Sequence, residues 1–149
     1  MIPDQTKALI ERWRLGHIAT VTPDGLPSVS PKGTWIVLDD RTLAFGEIRS
    51  PGTLANLATN PACEVNFVDA FTRKGARLRG TARAGSPEET ARHLPAFRAI
   101  WGDLADRINT IVLMHVISVK PLSTPPYDTG ATEAEMIDLY KQKFAEMYP

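Results

Sequence analysis

Two short segments of the chain carry residue types suited to holding an anion. The first is Ser30-Pro31-Lys32-Gly33-Thr34. Lys32 offers a point charge, Gly33 lets a ligand approach the backbone closely, and Thr34 offers a hydroxyl. The second is Arg49-Ser50-Pro51-Gly52-Thr53, which opens a predicted helix. A helix start presents free N–H groups and partial positive charge, and Arg49, Ser50 and Thr53 add donors there. Each segment alone is more often an ordinary loop. On neighbouring strand connections, the two together have the chemistry of a phosphate site. Arg77 and Arg79 share one face of a predicted strand, either as surface charges or as contacts to an anion or an electron-rich ring edge. Trp35 and Trp101 are candidate walls for a planar ligand, with core packing the commoner role for each.

Other chemistries lack carriers. His17, His93 and His115 are scattered, with no His-Glu-x-x-His pattern, and His115 reads as a buried, hydrogen-bonded mid-strand residue. The single cysteine, Cys63, excludes an intramolecular disulfide and a Cys-based zinc site, and reads as a small buried hydrophobe. There is no Gly-x-Gly-x-x-Gly after a strand, no Walker A loop and no Gly-x-Ser-x-Gly elbow. Lys plus Arg and Asp plus Glu both number 17, and this neutrality argues against a nucleic-acid or basic membrane-surface protein. The charge is uneven, however. Asp69–Arg98 holds seven basic and three acidic residues, and Tyr127–Pro149 five acidic and two basic. That pattern is two solvated faces or a basic rim beside an anionic ligand.

The elements that would position these residues follow from periodicity. With 149 residues, 43% hydrophobic and 23% charged, the chain fits one domain with its own core. Asp4 to Leu15 reads as a helix, with Asp4 as its cap or as a charge favouring its positive end. His17–Val21 and Leu26–Ser30 form a hairpin around Thr22-Pro23-Asp24-Gly25, and Pro27 and Pro31 mark the second strand as an edge or a bulge. Trp35–Leu38 and Thr42–Gly46 form a second hairpin. Thr53–Ala58 is a short helix, and Cys63–Val68 and Ala76–Ala84 are strands. Ser86-Pro87-Glu88-Glu89 is a capping box opening a helix that stops at Gly102. Thr110–Val119 is the longest strand. It is apolar on both faces, so a second copy of the chain is expected to cover the face that a small barrel leaves bare. An extended linker from Pro121 and a helix over Thr132–Met147 finish the chain. About six strands in hairpins, with three or four helices, imply an antiparallel sheet or small barrel. The N-terminus shows no signal-peptide pattern and no apolar run reaches membrane length, so a soluble, cytoplasmic protein is expected.

Leu15-Gly16-His17-Ile18-Ala19-Thr20-Val21 and Asp24 through Gly33 together resemble the opening of the pyridoxamine 5'-phosphate oxidase-like, FMN-binding split-barrel family. The resemblance continues through Asp39–Phe45, Thr53–Pro61 and Arg77–Ala82. It implies a mainly β (α+β) fold: a six-stranded antiparallel Greek-key split β-barrel with peripheral helices. Residues 1–149 would be a single domain, with an N-terminal helix over 1–14 and a linker and C-terminal helix over 121–149. It also implies a homodimer with one FMN in each of two interfacial clefts. The FMN phosphate would fall on Arg49, Ser50 and Thr53, the flavin ring along Lys32, Gly33, Thr34 and Trp35, and Arg77 or Arg79 would face flavin or substrate. Many relatives carry Ser-Arg-Lys before the helix. Pro51-Gly52-Thr53 stands there in this chain, so Arg49 and Lys32 must supply the charge. The substrate motif of the true oxidases is missing from the C-terminal segment, so the resemblance implies an FMN-dependent oxidoreductase of another substrate. A non-catalytic flavin-binding or storage protein, or a deazaflavin- or heme-binding relative, are the alternatives.

Overall fold

The computed structural model describes the whole chain, Met1–Pro149. Helix α1 (Asp4–Trp13) precedes strands β1 (Gly16–Val21), β2 (Pro27–Lys32), β3 (Trp35–Val37) and β4 (Thr42–Glu47). Helix α2 (Pro51–Thr59) leads to β5 (Ala62–Val68) and β6 (Gly75–Ala84). Helix α3 (Pro87–Trp101), a 3-10 segment over Gly102–Arg107, β7 (Thr110–Leu122), a second 3-10 segment over Pro125–Thr129 and α4 (Glu133–Met147) complete the chain.

All strand pairs are antiparallel, in the order β2-β1-β5-β6-β7-β4-β3. The sheet therefore has seven strands rather than six. β3 has only three residues and pairs with β4 alone, too short to announce itself by alternation. β2 carries Pro27 and Pro31 and lies at an edge, where a missing N–H costs no ladder bond. The two edge strands are consecutive in the chain, separated only by Gly33 and Thr34. That short link curls the sheet until its edges approach, giving the split barrel.

The curl encloses one core. Trp35 lies at its centre with no exposed surface, edge-on to Phe45 at 4.8 Å and to Phe67 at 5.6 Å. A second, smaller core lies outside the sheet, where Ile36, Ala44 and Ile111 pack against Phe97 of α3 and Ala105. β7 therefore is covered on both faces by its own chain. Val112, Met114 and Val116 face the barrel interior, and Ile111 and Leu113 face α3. The second copy expected over this strand is not required there. Past the β6–β7 bulge at Gly80, Ile117 is left two-thirds exposed. Gly80 is needed at that point because a Cβ would stand 2.0 Å from the His115 carbonyl oxygen.

The capping box of α3 forms as its sequence predicts: Ser86 Oγ accepts from the Glu89 N–H, and the Glu89 carboxylate accepts from the Ser86 N–H. Of the two roles open to Asp4 the second holds: Pro3 is the N-cap of α1, and Asp4 sits in the first turn, where its charge favours the positive end. Two expectations change. His115 is exposed on the outer face rather than buried, because the neighbouring residues Met114 and Val116 take the inner positions. The stretch from Pro121 continues β7 to Leu122 before the 3-10 segment. The basic and acidic stretches meet where Lys74 pairs with Glu133 of α4 at 2.9 Å. No helix is long and apolar enough to cross a membrane.

Candidate functional site

Strand alternation carries Ser28, Ser30 and Lys32 of β2 to the inner side, opposite Thr20, Ile18 and Gly16. Lys32 is 8% exposed. Its Nζ donates to Ser30 Oγ at 2.5 Å and lies 5.9 Å from the centre of the Phe45 ring. It takes part in no ion pair. Burial pushes its pKa below the ordinary lysine value, and the field of Glu47 opposes that shift. An ammonium taken out of water with one neutral partner is an unfinished anion site.

Glu47 ends β4 and is 4% exposed. Its Oε1 accepts the Ser50 N–H at 2.5 Å and its Oε2 accepts from Asn109 Nδ2 at 3.3 Å. This residue ties the two candidate segments together: its field reaches Lys32, and its oxygen anchors the turn into α2. Sequence reasoning passed over it because one acid at a strand end has no spacing signature. The Thr34 hydroxyl adds a second tie, donating to the Gly46 carbonyl at 2.8 Å and accepting the Gly46 N–H at 3.0 Å. It is committed to the backbone.

The start of α2 differs from the starts of α3 and α4. Both longer helices close on themselves with capping boxes and two acids in the first turn. At α2, Ser50 makes no side-chain cap bond, Pro51 is the first residue, and the first turn holds no acid. The first backbone bond across this turn runs from the Leu54 N–H to the Ser50 carbonyl at 3.2 Å, which leaves the Gly52 and Thr53 N–H groups without a backbone partner. A Cβ built on Gly33 or on Gly52 would meet nothing within 4 Å, so both stand beside open space. Arg49 is exposed and unpaired beside them, and Thr53 is buried.

Lys32, Gly33, Thr34, Arg49, Ser50 and Thr53 therefore belong to one corner, joined through Gly46 and Glu47. Trp35 faces the core: its indole N–H points to the Gly16 carbonyl at 3.4 Å, and its own carbonyl accepts from Arg14 at 2.9 Å. Trp101 stacks on Phe97 at 5.8 Å and is no free wall. Arg77 and Arg79 lie on the opposite, outer face of the sheet. Both reach Glu64 of β5, Arg79 through Nε at 2.6 Å and Arg77 at 3.4 Å. Cys63 is buried with its thiol pushed up to about 12, which removes it as a nucleophile.

The family model described as pyridoxamine 5'-phosphate oxidase matches residues 2–124. The chain belongs to that family. Its last 25 residues, containing α4, lie beyond the match. No curated protein matches the chain. Among solved structures, HupZ of Group A Streptococcus is 27% identical over 83% of this chain and 96% of its own, with a TM-score of 0.70. An F420 reductase is 23% identical over 80% of this chain and 98% of its own, with a TM-score of 0.64. An FMN-binding protein of Syntrophomonas wolfei is 12% identical over 82% and 86%, with a TM-score of 0.66. The last two likenesses are of fold alone.

Proposed function

We propose that the chain is an FMN-binding flavoprotein that acts as an oxidoreductase. The observation that carries this reading is the corner where the uncapped start of α2 meets the buried, unpaired Lys32. The corner fits a phosphate monoester: a buried ammonium in no ion pair, two free N–H groups, and open space at both glycines. Membership of the family, and the shared fold of an FMN-binding protein, support flavin as the group that brings the phosphate.

In this reading Lys32 neutralises the phosphate, Gly52 and Thr53 donate backbone N–H groups to it, Arg49 adds charge from the surface, and Glu47 holds the turn in place. Backbone groups of 32–34 lie along the ring. Bound FMN supplies hydride or electron transfer, and the protein supplies orientation and exclusion of water. Arg77 and Arg79 cannot reach the same flavin within one chain, because the sheet separates them from Lys32. They join the site when a second copy brings its outer face to the corner. Val29 and Ile117, each 66% exposed on that face, provide apolar surface for the contact. The functional unit is then a homodimer with two composite clefts.

The test is an absorbance spectrum of the purified protein, followed by heat release and mass spectrometry, with light scattering on the same sample. Free FMN at about one per chain and a dimer mass are expected. A colourless protein that fails to take up added FMN overturns the reading. A Soret band or a released deazaflavin replaces FMN by the corresponding group.

A further inference from the structure

One concavity of the molecule lies apart from the phosphate corner. It is a cleft of about 650 Å3 on the outer face, between the C-terminal end of α1, strands β1 and β5, and the β5–β6 turn. Leu15, Ala19, Val29, Val68 and Ala70 make most of its wall apolar. Two cations enter it, Arg73 and Arg77, together with one carboxylate, Glu64.

The two arginines differ in what they already hold. Arg77 is engaged with Glu64 at 3.4 Å. Arg73 has no ion pair and no side-chain hydrogen bond, and its Nε–H is buried without an acceptor. A buried donor of this kind is rare unless something outside the chain accepts from it. The guanidinium is also held still. Arg73 occupies a left-handed backbone position at φ 59°, fixed because its N–H donates to the Asp69 carbonyl at 2.8 Å. Its Cζ lies 3.9 Å from the centre of the Tyr140 ring of α4. Tyr140 and Phe144, which packs on Phe71 of the same turn at 5.2 Å, place the C-terminal helix behind the arginine. The indole N–H of Trp13, which also borders the cleft, is likewise buried without an acceptor, so the cleft presents two unpartnered donors.

We infer that this cleft is a binding site for a hydrophobic monocarboxylate, with the carboxylate on Arg73 and the apolar body along Leu15, Ala19, Val29 and Val68. Glu64 is shared by Arg77 and Arg79, so Arg73 is the cation of the cleft with no carboxylate of its own, and one carboxylate on the ligand completes it. The planar guanidinium presents paired donors in the geometry a carboxylate accepts. Tyr140 acts as a positioning residue from the segment beyond the family match, whereas the residues that line the cleft lie within it. The inference needs no bound flavin, but the cleft shares Arg77 and Val29 with the surface that the proposed dimer brings to the phosphate corner, so in that dimer it borders the composite site.

The test titrates 2-naphthoate into the full-length protein by calorimetry, with the fluorescence of Trp13 as a second signal. One saturable site per chain is expected. The uncharged 2-naphthylmethanol should bind at least tenfold more weakly, and Arg73→Gln should weaken 2-naphthoate at least tenfold without altering FMN uptake. Ala70→Trp fills the cleft and should abolish binding with both arginines intact, which guards against a fold defect in the Arg73 variant. Absence of saturable binding overturns the inference. So does binding that Arg73→Gln and Ala70→Trp leave unchanged.

Discussion

The N-terminal ends of α2 and α3 invite comparison. Both begin with Ser-Pro, at Ser50-Pro51 and at Ser86-Pro87, and by local sequence both are good helix starts. α3 satisfies itself: Ser86 and Glu89 exchange hydrogen bonds, and Arg83 pairs with Glu89 at 2.8 Å. α2 has glycine and threonine where α3 has two acids, and the nearest carboxylate, Glu47, takes the Ser50 N–H from outside the helix. The difference separates a helix start that satisfies its own N–H groups from one that leaves them open, as the proposed phosphate site requires. Cations show the same contrast. Lys32 is buried and unpaired, whereas Arg83 is exposed and paired.

The strongest way to break this comparison is Lys32→Met. Loss of a charge-assisted hydrogen bond of about 1.5–3 kcal/mol should weaken FMN binding by roughly ten- to hundredfold. The flavin-free protein should gain stability. The folded pKa of Lys32 lies below its unfolded value of 10.5, so its charged form costs stability, and that cost lifts only as pH rises from the depressed folded value past 10.5. Thermal melts of the flavin-free protein across that window should show a rise in the parent chain and none in the variant.

Gly52→Asp turns the start of α2 into one resembling that of α3. The position is open, so the aspartate meets no clash. The flavin-free protein should gain about 0.3–1 kcal/mol from the helix dipole, while FMN binding falls about tenfold by repulsion. Equal or tighter FMN binding would show that the phosphate lies elsewhere.

Ser86→Ala removes the cap of α3. It should cost about 1 kcal/mol, or about 3 °C in melting temperature, and leave FMN affinity unchanged. The smallest effect concerns acid. Arg83 and the Ser86 N–H hold the Glu89 carboxyl down to about 2, below its ordinary value of 4.5. The resulting stability is present above pH 4.5 and is lost as pH falls toward 2. Glu89→Gln should flatten the acid side of a circular-dichroism titration by a small amount, because the pair is exposed.

The two helix starts also show what could be read in the sequence. The capping box of α3 was legible because its four residues act on one another. The significance of Lys32 was legible as residue type, in Ser30-Pro31-Lys32-Gly33-Thr34, but its burial was not. That depends on Phe45 and on the curl of the sheet. Glu47 was invisible, because its partners Ser50 and Asn109 approach it from different parts of the chain. The cover on the second face of β7 was assigned to another copy because amphipathic periodicity in α3 does not say which strand the helix will meet.

Local chemistry alone determined the strand hairpins, the edge position of the proline-bearing β2, the capping box at Ser86 and the candidate anion-binding segments, since each rests on neighbours within a few residues. Tertiary structure decided the rest: that Lys32 is desolvated, that Arg77 and Arg79 lie across the sheet from it, and that Arg73 is held by Tyr140 at the edge of a cleft. The reason is physical. A side chain's charge and hydrogen-bonding capacity belong to its residue type, but its burial and its partners depend on segments that only the closing of the sheet brings together.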